Sequence, residues 1–376
     1  MSTNAENYQT VLNQVCVDVI GKEAPAVDRN GTFPQASIAA LKQAGLLGAV
    51  SAKEVGGLAL GPRGAAEIIR RVAQECGSTA MVACMHFCGA AVLEAYADQA
   101  TRQAAASGEH LSTLAFSEAG SRSHFWAPTS TARKNGNGVA LDARKSWVTS
   151  ASQATAYVWS SLPLNAGGLS TLWLVPAKST GIKVQGPFDG LGLRGNDSSP
   201  IIGEDVHVPE SAMLGEDGKG FDIMMGVVLP LFSILNAACT VGLMEGAVQR
   251  TTAHASSIRH TDTGSSLADY PTIRNYIARM QVKTDMARSL LEDTISAVET
   301  GRADAMLRVL ECKAAAGETA TEVLDTAMRV CGGAAFRKDV GVERYFRDTR
   351  AAGVMAPTTD VLYDFIGKAV CGLPLF

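Results

Sequence analysis

The spacing of apolar residues changes twice along the chain, and this change constrains the fold more than any single motif does. Over residues 1–110 apolar positions recur at helical spacing, which is typical of amphipathic helices. Over residues 111–215 short alternating segments are separated by turn residues, which indicates β-strands. Long amphipathic helical runs return over residues 216–376. The pattern predicts an α+β protein with three domains at these boundaries.

The middle segment predicts a small antiparallel β-barrel or sandwich. Its stretch "KNGNGV" is a strong hairpin signal, because Asn-Gly accepts the left-handed backbone conformations of a tight turn. The last segment contains three long helical runs and a terminal helix, which predicts a helical bundle.

The charge balance argues against two classes of partner. The net charge is −4 and no block of lysine or arginine stands out, so we expect neither nucleic acid nor membrane as a partner. The first residues lack the pattern of a signal peptide, and no uninterrupted apolar run reaches the length of a membrane span. We therefore expect a cytoplasmic protein.

Eight cysteines are scattered along the chain, and a cytoplasmic location disfavours disulfides. One cluster, Cys84-Met85-His86-Phe87-Cys88, lies in an apolar segment that reads as a buried helix. Residues two apart on a helix do not share a face, so these side chains would not close one tetrahedral metal site. We expect small buried side chains here and no metal.

Two segments of the middle region carry candidate chemistry. "AFSEAGSRSHFW" (Ala115–Trp126) places hydroxyl residues around a glycine, and such a turn exposes donors for an anion or for a ring with many acceptors. "KSWVTS" (Lys145–Ser150) places Trp147 and Thr149 on one face of a strand, which would suit a flat heterocycle. An ordinary turn and an ordinary core tryptophan are the alternatives.

A third segment, "AMRVCGGAAFRKDVGVERYFRDTR", follows the last long helical run. Gly332-Gly333 ends that helix and allows close backbone approach. A helix stop followed by an ion-pair network is the alternative interpretation.

The order of these segments resembles the acyl-CoA dehydrogenase family over nearly the whole chain. That resemblance implies a helical N-terminal domain, a middle β-domain, a C-terminal helical bundle, FAD and a homotetramer. Five segments carry it: "GLLGAVSAKEVGGLAL", "AFSEAGSRSHF", "LDARKSWVTSASQATAYVW", "GLRGNDSSPIIGEDVHVPESAMLGEDGKGF" and "CGGAAFRKDVGVERYFRD".

Position by position, the resemblance implies a flavin site. Phe116 and Ser117 would line the flavin ring, and Ser123 would meet the FAD diphosphate. Trp147 and Thr149 would flank the isoalloxazine.

The resemblance also implies contacts with the remaining parts of FAD. Arg329, Gly332 and Gly333 would approach the adenine half of a neighbouring subunit's FAD, with Arg329 replacing the family's usual glutamine. Arg259 or His260 would serve the diphosphate, and the register between these two stays open.

Two substitutions affect substrate binding and catalysis on the helix that begins near Leu229. The arginine that helps to hold acyl-CoA in relatives aligns with Ser233. The substitute catalytic glutamate that some members use aligns with Phe232.

The usual catalytic base is also missing. The family's Tyr-Glu-Gly-Thr stretch reads Met355-Ala356-Pro357-Thr358 here. Dehydrogenation of α,β carbons needs a group that removes the α-proton, and Ala356 cannot do this. His124 and Asp360 are alternative bases, although a loop histidine is the plainer interpretation of His124. Thr358 and Asp360 fall on FAD-contacting positions, and we assign Asp360 to that contact.

Three functional hypotheses follow. The first is FAD-dependent oxidation of the α,β carbons of an acyl thioester, bound to CoA or a carrier protein, with a non-standard base. The second is a flavin-dependent monooxygenase or oxidase that uses reduced FMN or FAD and oxygen, and acts on an acyl or other organic substrate. The third is a non-catalytic flavin-binding scaffold. An electron-transfer flavoprotein or a flavin reductase is the expected electron partner.

Overall fold

The N-terminal domain is helical. The computed structural model describes residues 4–121, 124–257, 259 and 261–375. Helix α5 is buried along most of its length and forms the centre of this domain. The helical elements are α1 (Tyr8–Val15), a π-helical turn (Cys16–Ile20), α2 (Gly21–Asn30), α3 (Gln35–Gln43), 3₁₀ turns at Leu46–Gly48 and Lys53–Val55, α4 (Gly61–Ala73), α5 (Gly77–Tyr96) and α6 (Gln99–Ser107).

The middle domain contains two four-stranded sheets, ordered β1-β4-β5-β8 and β2-β3-β7-β6. The strands are β1 (Ser112–Ala115), β2 (Thr131–Asn135), β3 (Gly138–Val148), β4 (Ala156–Ser161), β5 (Thr171–Pro176), β6 (Ile182–Val184), β7 (Ser199–Pro209) and β8 (Met213–Leu214).

The pairing of these strands confirms the hairpin and refines the predicted topology. Asn135 pairs with Gly138 across a tight turn in which Gly136 has a φ of 58°, as the Asn-Gly signal predicts. The two sheets pack around buried Trp159 and Trp173 and, over the described residues, do not close into a barrel. The sheets are not purely antiparallel, since β1 pairs with β4 in parallel. Helices α1–α6 precede β1, and α5 packs against it, so β1 enters the sheet without a hairpin connection.

The C-terminal domain is the predicted helical bundle. Helices α8, α9 and α10 pack on one another, and α4 packs on α8, so one apolar core spans both helical domains. The elements are α7 (Gly220–Ile223), a π-helical turn (Met224–Val228), α8 (Leu229–Ser257), a 3₁₀ turn (Leu267–Asp269), α9 (Pro271–Glu299), α10 (Ala305–Cys331), a 3₁₀ turn (Gly332–Phe336), α11 (Val342–Asp348), α12 (Arg350–Val354) and α13 (Thr359–Val370).

Two helical stretches of the described chain are long and strongly apolar. Gly77–Tyr96 and Gly220–Ser257 have the length and mean hydropathy of a membrane span, although neither contains an uninterrupted apolar run of that length. Most of each apolar window, 78% and 83%, is buried inside the fold. Core helices of globular proteins have this property, and the burial accounts for the apolar composition.

His86 joins α5 to the middle domain. Its Nε2 donates to the carbonyl of Leu47 (3.2 Å), and its Nδ1 accepts from the backbone N–H of Ser112 (3.1 Å). Both ring nitrogens are thereby used by the neutral imidazole. Burial lowers the pKa of His86 to about 4. Cys84 and Cys88 are buried free thiols, and the described residues contain no cluster of three potential metal ligands.

Candidate active site

A cavity of about 530 Å³ lies where the three domains meet. Helix α5 contributes Met85, the two sheets and their loops contribute the largest share of the wall, and α8 and α12 close it from the C-terminal domain. Its lining includes Phe116, Ser117, Glu118, Phe125, Trp147, Thr149, Leu193, Asn196, Ser198, Phe232, Val354, Met355 and Ala356.

The four residues predicted to surround the flavin ring all line this cavity. Phe116 and Ser117 follow β1, and Trp147 and Thr149 lie at the end of β3. A bulge between Lys145 and Val148 interrupts the pairing of β3 with β7. Trp147 lies within this bulge with a φ of 56°, and its side chain is 72% exposed. A large apolar ring held at a cavity mouth in this way provides an aromatic wall for a flat ligand.

Thr149 has a polar neighbour that sequence reasoning missed. Its Oγ1 lies 3.0 Å from Oγ of Ser198, and both side chains are buried. The hydroxyl of Thr113 donates to the carbonyl of Thr149 (2.8 Å), which fixes the backbone at that point. The hydroxyls of Thr149 and Ser198 therefore form a hydrogen-bonded pair, and this pair offers a hydrogen-bond donor to a bound ring.

Asn196 is a second cavity residue that the sequence analysis did not identify. It is almost fully buried at the cavity wall, and its Oδ1 has no hydrogen-bond partner in the described part of the chain. Oδ1 of Asp348 accepts from the backbone N–H of Leu193 (2.6 Å), which ties this loop to α11. Burial raises the pKa of Asp348 to about 6, despite the opposing hydrogen bond from Leu193 and the charge of Arg344. The only sequence signal for this wall was the polar run of residues 196–198, directly before β7.

The carboxylate of Glu118 also lines the cavity, but other groups occupy it. The ammonium of Lys145 and the backbone and side-chain donors of Thr129 and Ser130 contact its two oxygens. Burial raises the pKa of Glu118, but the charge and hydrogen bond of Lys145 outweigh it, so the pKa lies below its ordinary value. Burial lowers the pKa of Lys145 to about 8 against the opposing charge of Glu118. We therefore interpret this pair as a charged structural link between β3 and the loop after β1.

The position of the family's usual base faces the same cavity. Ala356 and Met355 follow α12 and line the wall together with Phe232 of α8. Ser233, at the position of the family's arginine, is fully buried away from the cavity lining, and its hydroxyl has no partner among the described residues. The structure therefore brings the predicted flavin wall and the altered catalytic position into one space.

The two alternative bases lie outside the cavity lining. The ring of His124 stacks on Trp126 with centroids 4.8 Å apart. Asp360 is exposed in the first turn of α13, whose N-cap is Thr358. Neither residue faces the cavity in this structure.

The residues assigned to the distant parts of FAD lie apart from the cavity lining. Arg329, Gly332 and Gly333 are exposed at the end of α10, and the Arg329 guanidinium lies over the ring of Tyr276. Exposed Arg259 donates to the carbonyl of Gly264 (3.0 Å). Ser123 and His260 lie outside the described residues.

The cavity fits the ring system of a flavin. It offers an exposed aromatic wall at Trp147, hydroxyl groups at Thr149 and Ser198, and an unpartnered buried amide at Asn196. A ring with several donors and acceptors would use this combination of groups.

Comparison with known proteins decides the family. Three descriptions match in succession: "Acyl-CoA dehydrogenase, N-terminal domain" over residues 2–108, "middle domain" over 113–206 and "C-terminal domain" over 218–371. The chain belongs to the acyl-CoA dehydrogenase family. The resemblance inferred from the five sequence segments is thereby confirmed, as is the α+β fold with two helical domains around a β-domain.

Individual members of the family are similar to this chain over almost their full length. Probable acyl-CoA dehydrogenase YngJ of Bacillus subtilis is 27% identical, with 96% of this chain and 97% of the relative covered. The human mitochondrial short-chain specific acyl-CoA dehydrogenase is 28% identical, with 95% and 88% covered. The structure of butyryl-CoA dehydrogenase from Megasphaera elsdenii superimposes with a TM-score of 0.90 at 20% identity and covers 99% and 100% of the two chains.

Membership in the acyl-CoA dehydrogenase family identifies the general chemistry. The protein is a flavin-dependent oxidoreductase, and FAD is the cofactor of the family. The predictions of an enzyme of this type and of FAD are confirmed at that level.

Proposed function

We propose that this protein oxidises the α,β carbons of a small acyl thioester, bound to CoA or a carrier protein, without a carboxylate at position 356. The observation that carries the proposal is the shared cavity of Trp147, Thr149 and Ala356. The names of the sequence relatives above, which are acyl-CoA dehydrogenases, support the thioester class.

The side chains of the cavity have distinct tasks in this proposal. FAD, when bound, supplies a hydride acceptor. Trp147 covers the ring, and the Thr149–Ser198 pair donates a hydrogen bond to it. Phe116 and Phe232 exclude water from the reacting carbons.

The α-proton needs an acceptor other than the side chain of residue 356. Glu118 is the only carboxylate among the described lining residues, and it is unsuited because Lys145, Thr129 and Ser130 already contact its oxygens. We propose that the proton leaves to a group that the substrate itself carries, because Phe116 and Phe232 exclude water from the reacting carbons.

A flavin-dependent monooxygenase or oxidase is the second candidate function. One observation favours it: the described cavity lining contains no free carboxylate. A reaction of reduced flavin with oxygen needs no base for an α-proton. A cavity lining without a free carboxylate would therefore suffice for that reaction. Reduced FMN is an alternative to FAD in that case.

Anaerobic titration of the purified protein with a panel of acyl thioesters separates these functions. The first proposal expects a bound yellow flavin whose visible absorbance is bleached by at least one thioester. The second expects no bleaching, and oxygen consumption only when a flavin reductase is added. Absence of bound or bindable flavin would contradict both functions, whereas a bound flavin that changes in neither experiment would favour the non-catalytic flavin-binding scaffold.

We also propose that the enzyme is a cytoplasmic homotetramer. Apolar side chains are exposed on its C-terminal domain: Val282 and Met286 of α9, and Phe336 after α10. Burial of these side chains against other copies would account for them, and exposed Gly332 and Gly333 would then approach a neighbour's FAD. Free buried cysteines suit a reducing compartment. Electron-transfer flavoprotein is the expected acceptor for the first function and a flavin reductase the expected donor for the second.

A further inference from the structure

Lys313 of α10 lies directly behind the altered catalytic position. Its side chain is 1% exposed, and its Nζ donates to the carbonyls of Ala352 (3.2 Å), Met355 (3.0 Å) and Pro357 (2.8 Å). The carbonyls of Met355 and Pro357 flank Ala356, which lines the cavity, and Ala352 lies four residues before it.

The hydrogen bonds indicate the charge state of Lys313. Three separate acceptors require three N–H donors, and only the ammonium form has three. Burial lowers the pKa of Lys313 to about 7, and the hydrogen bonds to the three carbonyls favour its charged form.

This buried cation has no counter-ion among the described residues. The side chain of Lys313 forms no ion pair with the described residues. Besides the three carbonyls, its Nζ lies over the ring of Phe232, 6.0 Å from the ring centroid. By contrast, Lys145, the other fully buried lysine, is paired with Glu118. Buried charges in proteins are normally paired, so an unpaired one beside a cavity indicates that a ligand completes the pair.

Ala356 and Phe232 both lie beside this cation on the cavity wall. Both residues line the cavity, and both are uncharged. The one charged group of the described lining, Glu118, is neutralised by Lys145 and leaves the positive field of Lys313 uncompensated. The field of Lys313 therefore reaches the space in which the substrate would lie.

We propose that the substrate carries its own negative charge, a carboxylate on the acyl group, and that this carboxylate lies against Ala356 within the field of Lys313. The proposal rests on the proposed function, since it places the acyl group in the same cavity. It assigns the substrate class as acyl compounds with a second acidic group. The substrate carboxylate then occupies the region in which relatives place a glutamate side chain.

Binding of matched anionic and neutral ligands tests this inference. The first pair is S-succinyl-N-acetylcysteamine and its amide analogue S-succinamoyl-N-acetylcysteamine, titrated into the FAD-loaded protein by calorimetry. The second pair is hexanoate and hexanamide, which lack the thioester. We expect the anion of at least one pair to bind about tenfold more tightly, since attraction by a nearby cation in a partly polar interior gives an effect of about that size.

Substitutions at position 356 provide the control. Ala356→Glu places a carboxylate in the field of Lys313 and should abolish or reverse the preference for the anion. Ala356→Gln fills the same space without the charge, so it should reduce the preference for the anion less than Ala356→Glu does. Both variants keep the three hydrogen bonds of Lys313, whereas Lys313→Met would lose them and is expected to destabilise the segment.

The outcomes distinguish this inference from the proposed function. Equal binding of anion and amide in both pairs, or no binding by either pair, would overturn the inference. An unchanged preference in Ala356→Glu would overturn it as well. The flavin content and the bleaching of the same samples report on the proposed function independently.

Discussion

The side-chain oxygens of Thr149 and Ser198 lie 3.0 Å apart on the wall of the cavity. Each hydroxyl has one proton, so one donates to the other and the second proton remains available to a bound ring. Ser198→Ala should leave the Thr149 hydroxyl free to rotate. We expect FAD affinity to fall about fivefold, the equivalent of one ordinary hydrogen bond, with a shifted flavin absorbance spectrum.

Ser199 provides the matched control for this substitution. It is adjacent in sequence, but its hydroxyl donates to the carbonyl of Gly186 (3.3 Å) and it does not line the cavity. Ser199→Ala should leave FAD affinity and the spectrum unchanged. Equal effects of the two variants on the flavin would show that Ser198 has only a structural role.

Trp147→Ala should separate cofactor binding from folding. The indole is 72% exposed, so its removal takes little apolar surface out of the core, and we expect the free energy of unfolding of the cofactor-free protein to change by less than about 0.5 kcal/mol. FAD affinity should fall at least about tenfold, because the aromatic wall of the cavity is lost. Denaturant unfolding and flavin titration of one preparation measure both quantities. A large loss of stability with unchanged flavin affinity would exclude this role for Trp147.

Acid should destabilise the fold through its buried histidines. Burial lowers the pKa of both His86 and His110 to about 4, compared with about 6.5 in the unfolded chain. Between these values the unfolded state binds more protons, so stability is present near neutral pH and is lost as the pH falls. Each histidine should cost about 2 kcal/mol between pH 7 and pH 5.

His86→Gln tests how much of the stability lost between pH 7 and pH 5 is due to His86. Glutamine has no titrating group, and its amide can both donate and accept as the imidazole does. Urea unfolding at the two pH values should show a difference smaller by about 2 kcal/mol in the variant. The same pH dependence in both proteins would mean that His86 does not take up a proton on unfolding.

Ala356→Glu should introduce dehydrogenation of an ordinary acyl-CoA. The new carboxylate would extend into the cavity that Trp147 and Thr149 line, where it could remove an α-proton. We expect anaerobic bleaching of the flavin by butyryl-CoA to accelerate at least about tenfold relative to the unmodified protein. Ala356→Gln should show no gain. No gain in Ala356→Glu, with full flavin content, would indicate that residue 356 does not face the α-carbon.

The sequence predicted the elements of the fold better than their pairing. The Asn135–Gly138 turn and the long helices α9 and α10 follow from local rules, since turn residues and helical spacing act over a few positions. The parallel pairing of β1 with β4 depends on contacts between segments more than forty positions apart, which no local pattern contains.

The cavity residues could likewise be predicted only where their role does not depend on contacts between distant segments. Trp147, Thr149 and Ala356 could be placed in one site because the family resemblance aligned them. Ser198 and Lys313 could not, because their roles depend on a hydroxyl and three carbonyls contributed by other segments. Polar side chains acquire such roles through tertiary contacts, and a serine in a turn or a lysine in a helix has no distinguishing local signal.

The central claim is that one cavity holds the flavin ring at Trp147 and Thr149 and presents the substrate to a position without a carboxylate. A crystal structure of the FAD-loaded protein with a bound, non-reactive acyl thioester analogue tests this most directly. We expect the isoalloxazine to contact Trp147 and Thr149, and we expect the α-carbon of the analogue to face Ala356. A flavin bound elsewhere, or another carboxylate of the chain beside the α-carbon, would contradict it.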